Sequence, residues 1–224
     1  MYKAIFFDVD DTLLTFKTSS RLALSKAFDA QGLTFNENIF EVFREMDQAL
    51  WAKQKQRLIS VQEITDIRFG QFFERLHIDA SAEEMKEQYQ QNLFNEYALE
   101  PSALEVVKYL SPKYPLYVAS NGFLAMQQSR LKLAGLFQSF ADLYVSDNVG
   151  FEKPDSRFFE EVMTRSKLKS EEILFVGDSL EADITGAAGC NIATCWYNPG
   201  DQHNLLPVKP NYTIRHLSQL KEII

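Results

Sequence analysis

Residues 3–14, which read KAIFFDVDDTLL, give the clearest indication of the fold. This stretch begins as a short apolar run, which is typical of a buried strand, and the carboxylates Asp8 and Asp10 follow where that strand should end. In extended backbone, side chains two positions apart project from the same side. Because unpaired charge is costly to bury, this acid pair predicts a bound cation or a chemical role.

The composition is that of a globular protein with an acidic balance. The chain has 224 residues, 46% of them hydrophobic and 24% charged, with a formal net charge of −8. This balance argues against non-specific binding of a nucleic-acid polymer. Asp8 interrupts the N-terminal apolar run too early for a signal peptide or a membrane span. Two cysteines, Cys190 and Cys195, have no metal or redox spacing. We therefore expect a cytoplasmic protein that has no membrane partner.

From about residue 19 to about residue 95 the pattern is helical, without a convincing strand. Ser60 and Glu63 have the spacing of a capping box at the start of one of these helices. The four expected helices cover about residues 22–28, 39–51, 60–76 and 81–93. Most aromatic residues here are interpreted as the core of a small helical bundle, although Phe16, Phe43 and Trp51 are candidates to line a substrate pocket.

From Pro101 onward, strand and helix patterns alternate, which implies a parallel sheet with helices on both faces. The predicted strands are 116–119, 141–145, 173–176, 192–195 and 212–214, and the helices between and after them are 103–110, 123–134, 155–167, 180–188 and 217–224. The predicted fold is α/β: a doubly wound, Rossmann-like parallel sheet with an inserted all-helical cap domain. Residues 1–15 and 97–224 would form the core, and residues 16–96 the cap.

Polar clusters follow the strands of this sheet, where ligands bind in doubly wound folds. They comprise residues 8–10, 120–122, 153–154 and 177–183. Alone, each has a structural interpretation, since Asn-Gly is usually a turn, Gly-Asp-Ser an N-cap loop and Lys-Pro a surface loop. Their joint occurrence, in order and beside strand ends, favours a functional site.

The side chains of these clusters suit a phosphoryl group beside a metal. Asp8, Asp178 and Asp183 offer the hard oxygen ligands that magnesium takes. Ser120 offers a hydroxyl, and Gly122 permits a tight turn before a helix, so that backbone N–H groups there can face an anion. Lys153 is a mobile point charge suited to phosphate.

These motifs resemble those of the haloacid dehalogenase superfamily, and specifically its phosphatase branch with a helical cap after the first strand. Residues 8–13 resemble the first motif, Ser120 with Asn121 the second, residues 153–154 the third and residues 177–183 the fourth. The resemblance covers essentially the whole chain. Asp11 departs from the pattern, because many members have glycine there.

A narrower resemblance is to the pyrimidine nucleotidase family of this superfamily. It is carried by residues 121–131, which contain NGF and QQSRL, and by residues 177–184 and 193–196. It implies 5′-nucleotidase activity on pyrimidine nucleoside monophosphates. The partner would be a small phosphate ester, and the protein a monomer or homodimer. The resemblance supports the substrate less strongly than the reaction. The matching stretches lie mostly in the core, whereas substrate choice in this superfamily lies largely in the cap.

The resemblance implies a role for each site residue. Asp8 would be the nucleophile, forming an aspartyl-phosphate, and Asp10 the general acid and base. Mg²⁺ would be the cofactor. The remaining roles fall into three sets: metal ligands Asp8, the backbone carbonyl of Asp10, and Asp178; phosphate-binding residues Ser120, Asn121 and Lys153; and supporting residues Asp183, Thr12 and Gly122.

Several alternatives stay open or are disfavoured. A phosphatase of phosphoglycolate or a sugar phosphate would use the same residues, as would a phosphomutase resembling β-phosphoglucomutase. A 2-haloacid dehalogenase would need neither Asp10 nor magnesium, so Asp10 and Asp178 argue against it. A receiver domain would be shorter and would lack the helical insert.

Overall fold

The computed structural model describes residues 2–224, and the chain divides into two compact units. The first unit extends to Phe16 and resumes with Tyr97–Ile224, and the second is Lys17–Glu96. Phe16 thus belongs to the first unit, one residue beyond the predicted boundary. Its backbone N–H donates to Asp11 Oδ1 at 2.8 Å, which ties it to the turn after the first strand.

The first unit is built on a six-stranded sheet in which all neighbouring strands are parallel. Its strands are β1 (Ala4–Phe7), β2 (Leu116–Ser120), β3 (Asp142–Val145), β4 (Ile173–Gly177), β5 (Ala193–Tyr197) and β6 (Tyr212–Ile214). The spatial order is β3-β2-β1-β4-β5-β6. The predicted α/β class and parallel sheet are confirmed, with strand ends within two residues of those predicted.

Because β1 lies at the centre of the sheet, its C-terminal end borders a crevice in which a ligand can bind. The chain runs outward from β1 to β2 and β3 and then continues with β4 on the other side of β1. Phe7 of β1 lies level with Val118 of β2 and Val176 of β4. Such a reversal leaves a crevice outside the carboxyl ends of the central strands. Asp8 directly follows β1 and Asp178 directly follows β4, so both border that crevice.

The uninterrupted apolar sequence of β1 reflects burial on both faces of the sheet. Ile5 and Phe7 belong to one buried cluster, whereas Ala4 and Phe6 belong to another. Each of these four side chains is at most 1% exposed. Alternate residues of a strand face opposite sides, so helices must cover both faces, as is usual for parallel sheets.

The second unit is helical, and residues 17–96, all of them described, contain no strand. Its helices are α1 (Phe16–Ala30, whose first residue belongs to the first unit), α2 (Glu37–Lys55), α3 (Val61–Leu76) and α4 (Ala82–Leu93). The predicted capping box at the start of α3 is present: Ser60 Oγ accepts from the Glu63 N–H at 3.1 Å, and Glu63 accepts from the Ser60 N–H at 2.7 Å.

The core of the helical unit is aromatic. The Phe43 ring lies 5.2 Å from Phe72, 5.7 Å from Tyr89 and 5.8 Å from Phe69, measured between ring centroids. Phe43 is 1% exposed. Phe43, one of the candidates to line a substrate pocket, therefore lies in the core of this unit, whereas Trp51, another candidate, is partly exposed.

The helices of the first unit follow the prediction with three differences. They are α5 (Ala103–Leu110), α6 (Leu124–Leu133), α7 (Ser146–Val149), α8 (Ser156–Ser166), α9 (Gly186–Gly189) and α10 (Leu220–Ile223). The single turn α7 was not predicted, because four residues are too few to show a period. The predicted helix at 180–188 begins as a π-helical segment, Leu180–Thr185, before α9. The predicted helix at 217–224 begins as a 3₁₀ turn, Leu217–Gln219. Within residues 2–224, no helix combines the length and the apolar character needed to cross a membrane.

Candidate active site

The centre of the candidate site is the ammonium group of Lys153. Its Nζ donates to Asp183 Oδ1 at 2.6 Å, to Asp8 Oδ1 at 2.7 Å and to the backbone carbonyl of Ala119 at 2.8 Å. Lys153 is 2% exposed, Asp8 7% and Asp183 1%. Three acceptors match the three N–H bonds of an ammonium group, so its donor capacity is used in full.

Asn121 fixes the backbone that carries this lysine. Its Nδ2 donates to the Lys153 carbonyl at 2.9 Å, and its Oδ1 accepts from the Lys153 N–H at 2.8 Å. Gly122, with a φ of +138°, donates its N–H to Ser146 Oγ at 2.9 Å. The turn after β2 is therefore joined to the loop before α8 and to α7, and these contacts hold Lys153 beside the end of β1.

Asp183 reaches Lys153 from the π-helical segment after β4. Its second oxygen, Oδ2, accepts from the Ser179 N–H at 3.0 Å. The Ile184 N–H donates to the Ser179 carbonyl at 3.1 Å, and a hydrogen bond across five positions is the mark of a π-helical turn. Gly177 allows this approach, because a Cβ there would lie 2.3 Å from Asp183 Oδ2. π-Helical turns of this kind are frequent at functional sites.

Three carboxylates could together hold a metal ion. Asp8, Asp178 and Asp183 each offer an oxygen, and these oxygens lie within 4.8 Å of one another. Carboxylate oxygens are the donors that Mg²⁺ prefers, so the residues fit the predicted ion. Both oxygens of Asp183 already accept hydrogen bonds, from Lys153 and Ser179. Asp8 also accepts on both oxygens, but its contact with Thr12 Oγ1 is longer, at 3.3 Å, and Asp183 is the least exposed of the three, at 1%. Asp8 and Asp178 are therefore the better candidates for direct ligands.

Thr12 and Trp196 orient the residues of this acidic group. Thr12 Oγ1 lies 3.3 Å from Asp8 Oδ2 and 3.4 Å from Asp178 Oδ1, and it accepts from the Asp178 N–H at 3.1 Å. Trp196 Nε1 donates to the Asp178 carbonyl at 2.8 Å. Trp196 lies in a stretch that carries the nucleotidase resemblance, but no local pattern in the sequence predicts this contact.

Asp10 lies at the same end of the sheet, held by helix α6. Its Oδ1 accepts from Arg130 Nη1 at 2.6 Å and its Oδ2 from Gln127 Nε2 at 2.8 Å. Gln127 and Arg130 lie in the stretch that carries the nucleotidase resemblance, which predicts no role for either. The available signal was their i, i+3 spacing on a helix that directly follows β2, the neighbour of β1.

Burial and charge pairing act in opposite directions on the central ion pair. Burial raises the pKa of Asp8 to about 7, against the pull of Lys153, which favours the ionised carboxylate. Burial acts to lower the pKa of Lys153, but the carboxylates of Asp183 and Asp8 outweigh it and raise that pKa above its usual range. The lysine therefore stays protonated throughout the physiological pH range.

The structure brings the predicted site residues together at one edge of the sheet. Ser120, 1% exposed, lies between the two halves of the site: its Oγ donates to the Asn121 carbonyl at 3.3 Å and accepts from Gln127 Nε2 at 3.3 Å. One network of hydrogen bonds thus includes Asp8, Asp10, Thr12, Ser120, Asn121, Lys153, Asp178 and Asp183, with Gly122 bonded to Ser146 beside it.

Comparison with known proteins agrees with this architecture. The family model for haloacid dehalogenase-like hydrolases matches residues 2–191. Pyrimidine 5′-nucleotidase PynA of Streptococcus pneumoniae is 30% identical over 100% of this chain and 95% of its own length. Pyrimidine 5′-nucleotidase YjjG of Escherichia coli is 28% identical over 98% of this chain and 96% of its own length.

A solved structure extends the likeness to three dimensions. The HAD-hydrolase YfnB of Bacillus subtilis, whose crystal form is described as bound to magnesium and as showing interdomain movement, is 31% identical. The alignment covers 99% of this chain and 98% of that one, with a TM-score of 0.93. The chain belongs to the haloacid dehalogenase-like hydrolase family and is an enzyme of its phosphatase type.

Proposed function

We propose that this enzyme is a magnesium-dependent phosphomonoester hydrolase that acts through an aspartyl-phosphate and uses pyrimidine nucleoside 5′-monophosphates as substrates. The observation that carries the proposal is the contact of Lys153 with Asp8. A buried ammonium 2.7 Å from a carboxylate at the end of β1 is suited to neutralise a phosphoryl group transferred to that carboxylate.

In the first step, an oxygen of Asp8 attacks phosphorus while the bond from phosphorus to the ester oxygen breaks. The electron pair of that bond stays on the leaving oxygen, which takes a proton from the Asp10 carboxyl group. To bind the phosphoryl oxygens, Lys153 exchanges its hydrogen bond to Asp8 for one of them, and the Ser120 hydroxyl turns from the Asn121 carbonyl to another. The products of this step are the free alcohol, a phosphorylated Asp8 and an ionised Asp10.

In the second step, the oxygen of a water molecule attacks the same phosphorus. Asp10 takes a proton from that water, and the bond from phosphorus to Asp8 breaks with its electron pair returning to Asp8. Inorganic phosphate leaves, and both carboxyl groups regain their starting protonation. Asp10 therefore acts as acid and then as base, and its protonation state is restored after each turnover.

Asp8 and Asp178 would hold Mg²⁺, and the family resemblance adds the backbone carbonyl of Asp10. The oxygens available from Asp8, Asp178 and Asp183 within 4.8 Å support this assignment, as does the magnesium-bound form described for the similar protein YfnB. When bound, a divalent cation offsets the negative charge of the phosphoryl oxygens and favours the ionised form of a carboxylate beside it.

The nucleotide substrate rests on the whole-length similarity to PynA and YjjG, both named as pyrimidine 5′-nucleotidases. A phosphatase of another small metabolite is the second candidate, because a relative named for a different phosphate ester is also 30% identical over the full length of both chains. A cytoplasmic enzyme, monomeric or dimeric, stays our expectation.

The deciding experiment is phosphate release with Mg²⁺ from a panel of nucleoside monophosphates, sugar phosphates and phosphoglycolate. We expect release concentrated on pyrimidine monophosphates, abolished by Asp8→Asn and by chelation of the metal. Release confined to sugar phosphates or phosphoglycolate would support the proposed phosphoryl transfer but contradict the proposed nucleotide substrate. Asp10→Asn should lower turnover on the order of a hundredfold or more, and near-normal turnover would exclude the acid–base role of Asp10.

A further inference from the structure

Both oxygens of the Asp10 carboxylate accept hydrogen bonds from side chains of helix α6. Arg130 Nη1 donates to Oδ1 at 2.6 Å and Gln127 Nε2 donates to Oδ2 at 2.8 Å. Arg130 is 1% exposed and Gln127 3%, while the Asp10 side chain is 28% exposed. The donors are thus buried, whereas the group that they hold keeps an accessible face.

The two donors also orient each other. Arg130 Nη1 lies 3.2 Å from Gln127 Oε1, and Gln127 Nε2 lies 3.3 Å from Ser120 Oγ. The Arg130 guanidinium lies 5.9 Å from the centre of the Phe16 ring. These contacts restrict the rotation of both side chains, so the carboxylate of Asp10 meets a preorganised pair of donors.

Stability alone does not explain why Arg130 is buried. Desolvating a guanidinium is expensive, and a protein with an apolar residue of similar volume at that position is often at least as stable. Apolar side chains alone would be enough for α6 to cover the sheet. A donor on each oxygen leaves a carboxyl group little freedom to turn. A proton-transfer group gains from that restraint, since a displacement of about 1 Å can cost roughly a hundredfold in rate.

We propose that Gln127 and Arg130 are positioning residues that hold the Asp10 carboxyl group for proton transfer to the leaving oxygen. This inference rests on the proposed phosphoryl transfer. In that step the bond from phosphorus to the ester oxygen breaks, and the proton moves from Asp10 to that oxygen. The Arg130 guanidinium then lies beside the carboxylate charge that remains on Asp10.

The test varies the leaving group, because only some alcohols need that proton. A nucleoside 5′-oxygen is a poor leaving group unless it is protonated, whereas p-nitrophenolate leaves as a stable anion. The quantity to compare is kcat/KM, since it reports the steps up to release of the alcohol and not the later hydrolysis of the aspartyl-phosphate. The variants are Gln127→Met and Arg130→Met, with Gln128→Met, the same change one position along α6, as the matched control.

We expect both variants to lose about ten- to a hundredfold in kcat/KM on a nucleoside monophosphate. On p-nitrophenyl phosphate they should lose less than about threefold, because that leaving group does not depend on the acid. Asp10→Asn should show the same pattern, and Arg130→Met should lower its activity no further, since both changes remove one function. Arg130→Lys should restore part of the loss, and Gln128→Met should resemble the wild type on both esters.

Three outcomes would overturn the proposal. Equal losses on the two esters would show that Gln127 and Arg130 have only a structural role. An additional loss when Arg130→Met is combined with Asp10→Asn would show the same. Thermal unfolding identifies variants that do not fold. If Arg130→Met does not fold, the result for Gln127→Met decides, because that change removes only a neutral amide. A wild-type enzyme that releases no phosphate from either ester would instead refute the proposed function, and this inference with it.

Discussion

Lys153 Nζ lies 2.6 Å from Asp183 Oδ1, and both side chains are 2% exposed. The two residues come from different segments, the loop before α8 and the π-helical turn after β4. The same ammonium lies 2.7 Å from Asp8. One buried cation therefore compensates two buried carboxylates, and the stability and the chemistry of the site depend on the same group.

Replacing Lys153 should destabilise the protein as well as inactivate it. Lys153→Met leaves Asp8 and Asp183 as neighbouring buried anions without a cation, which should cost about 3–5 kcal/mol of the free energy of unfolding. Urea denaturation measures this cost. The control is Lys209→Met, which changes an exposed lysine and should stay within about 0.5 kcal/mol of the wild type. A loss below about 1 kcal/mol for Lys153→Met would mean that the pair is not a buried ion pair in solution.

A single methyl group at Gly177 should disturb the site. The Cβ of Gly177→Ala would lie 2.3 Å from Asp183 Oδ2, so the carboxylate must move away from Lys153 and from the Ser179 N–H. Overpacking of this kind costs about 1–3 kcal/mol. We expect that loss in urea denaturation together with a lower phosphatase rate.

The control for this prediction is Gly189→Ala in α9, because a Cβ there meets no atom within 4 Å. It should be neutral or slightly stabilising, since alanine favours a helix over glycine by about 0.5–1 kcal/mol. Equal effects of the two substitutions would show that close approach to Asp183 is unimportant.

The helical unit contains its own buried ion pair. Arg68 Nη1 lies 2.9 Å from Asp47 Oδ1, both residues are 6% exposed, and the Arg68 guanidinium lies 5.1 Å from the centre of the Tyr89 ring. Asp47→Leu should cost about 3–5 kcal/mol, because it leaves Arg68 buried without its carboxylate.

The double variant Asp47→Leu with Arg68→Met should recover much of that loss, since no unpaired charge remains. A double-mutant cycle of urea midpoints measures the coupling, which we expect to reach at least about 1 kcal/mol. Additive losses would exclude direct coupling between the two side chains.

Trp196 should tune metal affinity without touching the ion. Its Nε1 donates to the Asp178 carbonyl at 2.8 Å, and Trp196→Phe keeps most of the ring volume while removing that donor. Loss of such outer contacts weakens metal binding about 10- to 100-fold. Titration of activity with Mg²⁺ should therefore show a higher half-saturating concentration and a nearly normal rate at saturation. An unchanged titration would mean that the hydrogen bond does not orient Asp178.

Local sequence patterns were enough to predict the α/β class, all six strands and most of the helices. Apolar runs such as β1 and capping patterns such as Ser60 with Glu63 are local signals. They identify a strand or a helix start regardless of where that element packs in the fold. The convergence of Asp8, Ser120, Lys153 and Asp178 was also accessible, because parallel strands end at one edge of their sheet.

Which side chains meet at that edge depends on tertiary packing and could not be predicted from local patterns. Arg130 is 120 positions from Asp10 and Lys153 is 145 positions from Asp8, so no local period relates either pair. Their contacts depend on the order of the strands and on the phase of α6 against β1. The π-helical turn that carries Asp183 could not be predicted from the sequence either. Its wider hydrogen-bond spacing is associated with the contacts of Asp183 with Lys153 and Ser179, and no apolar pattern marks it.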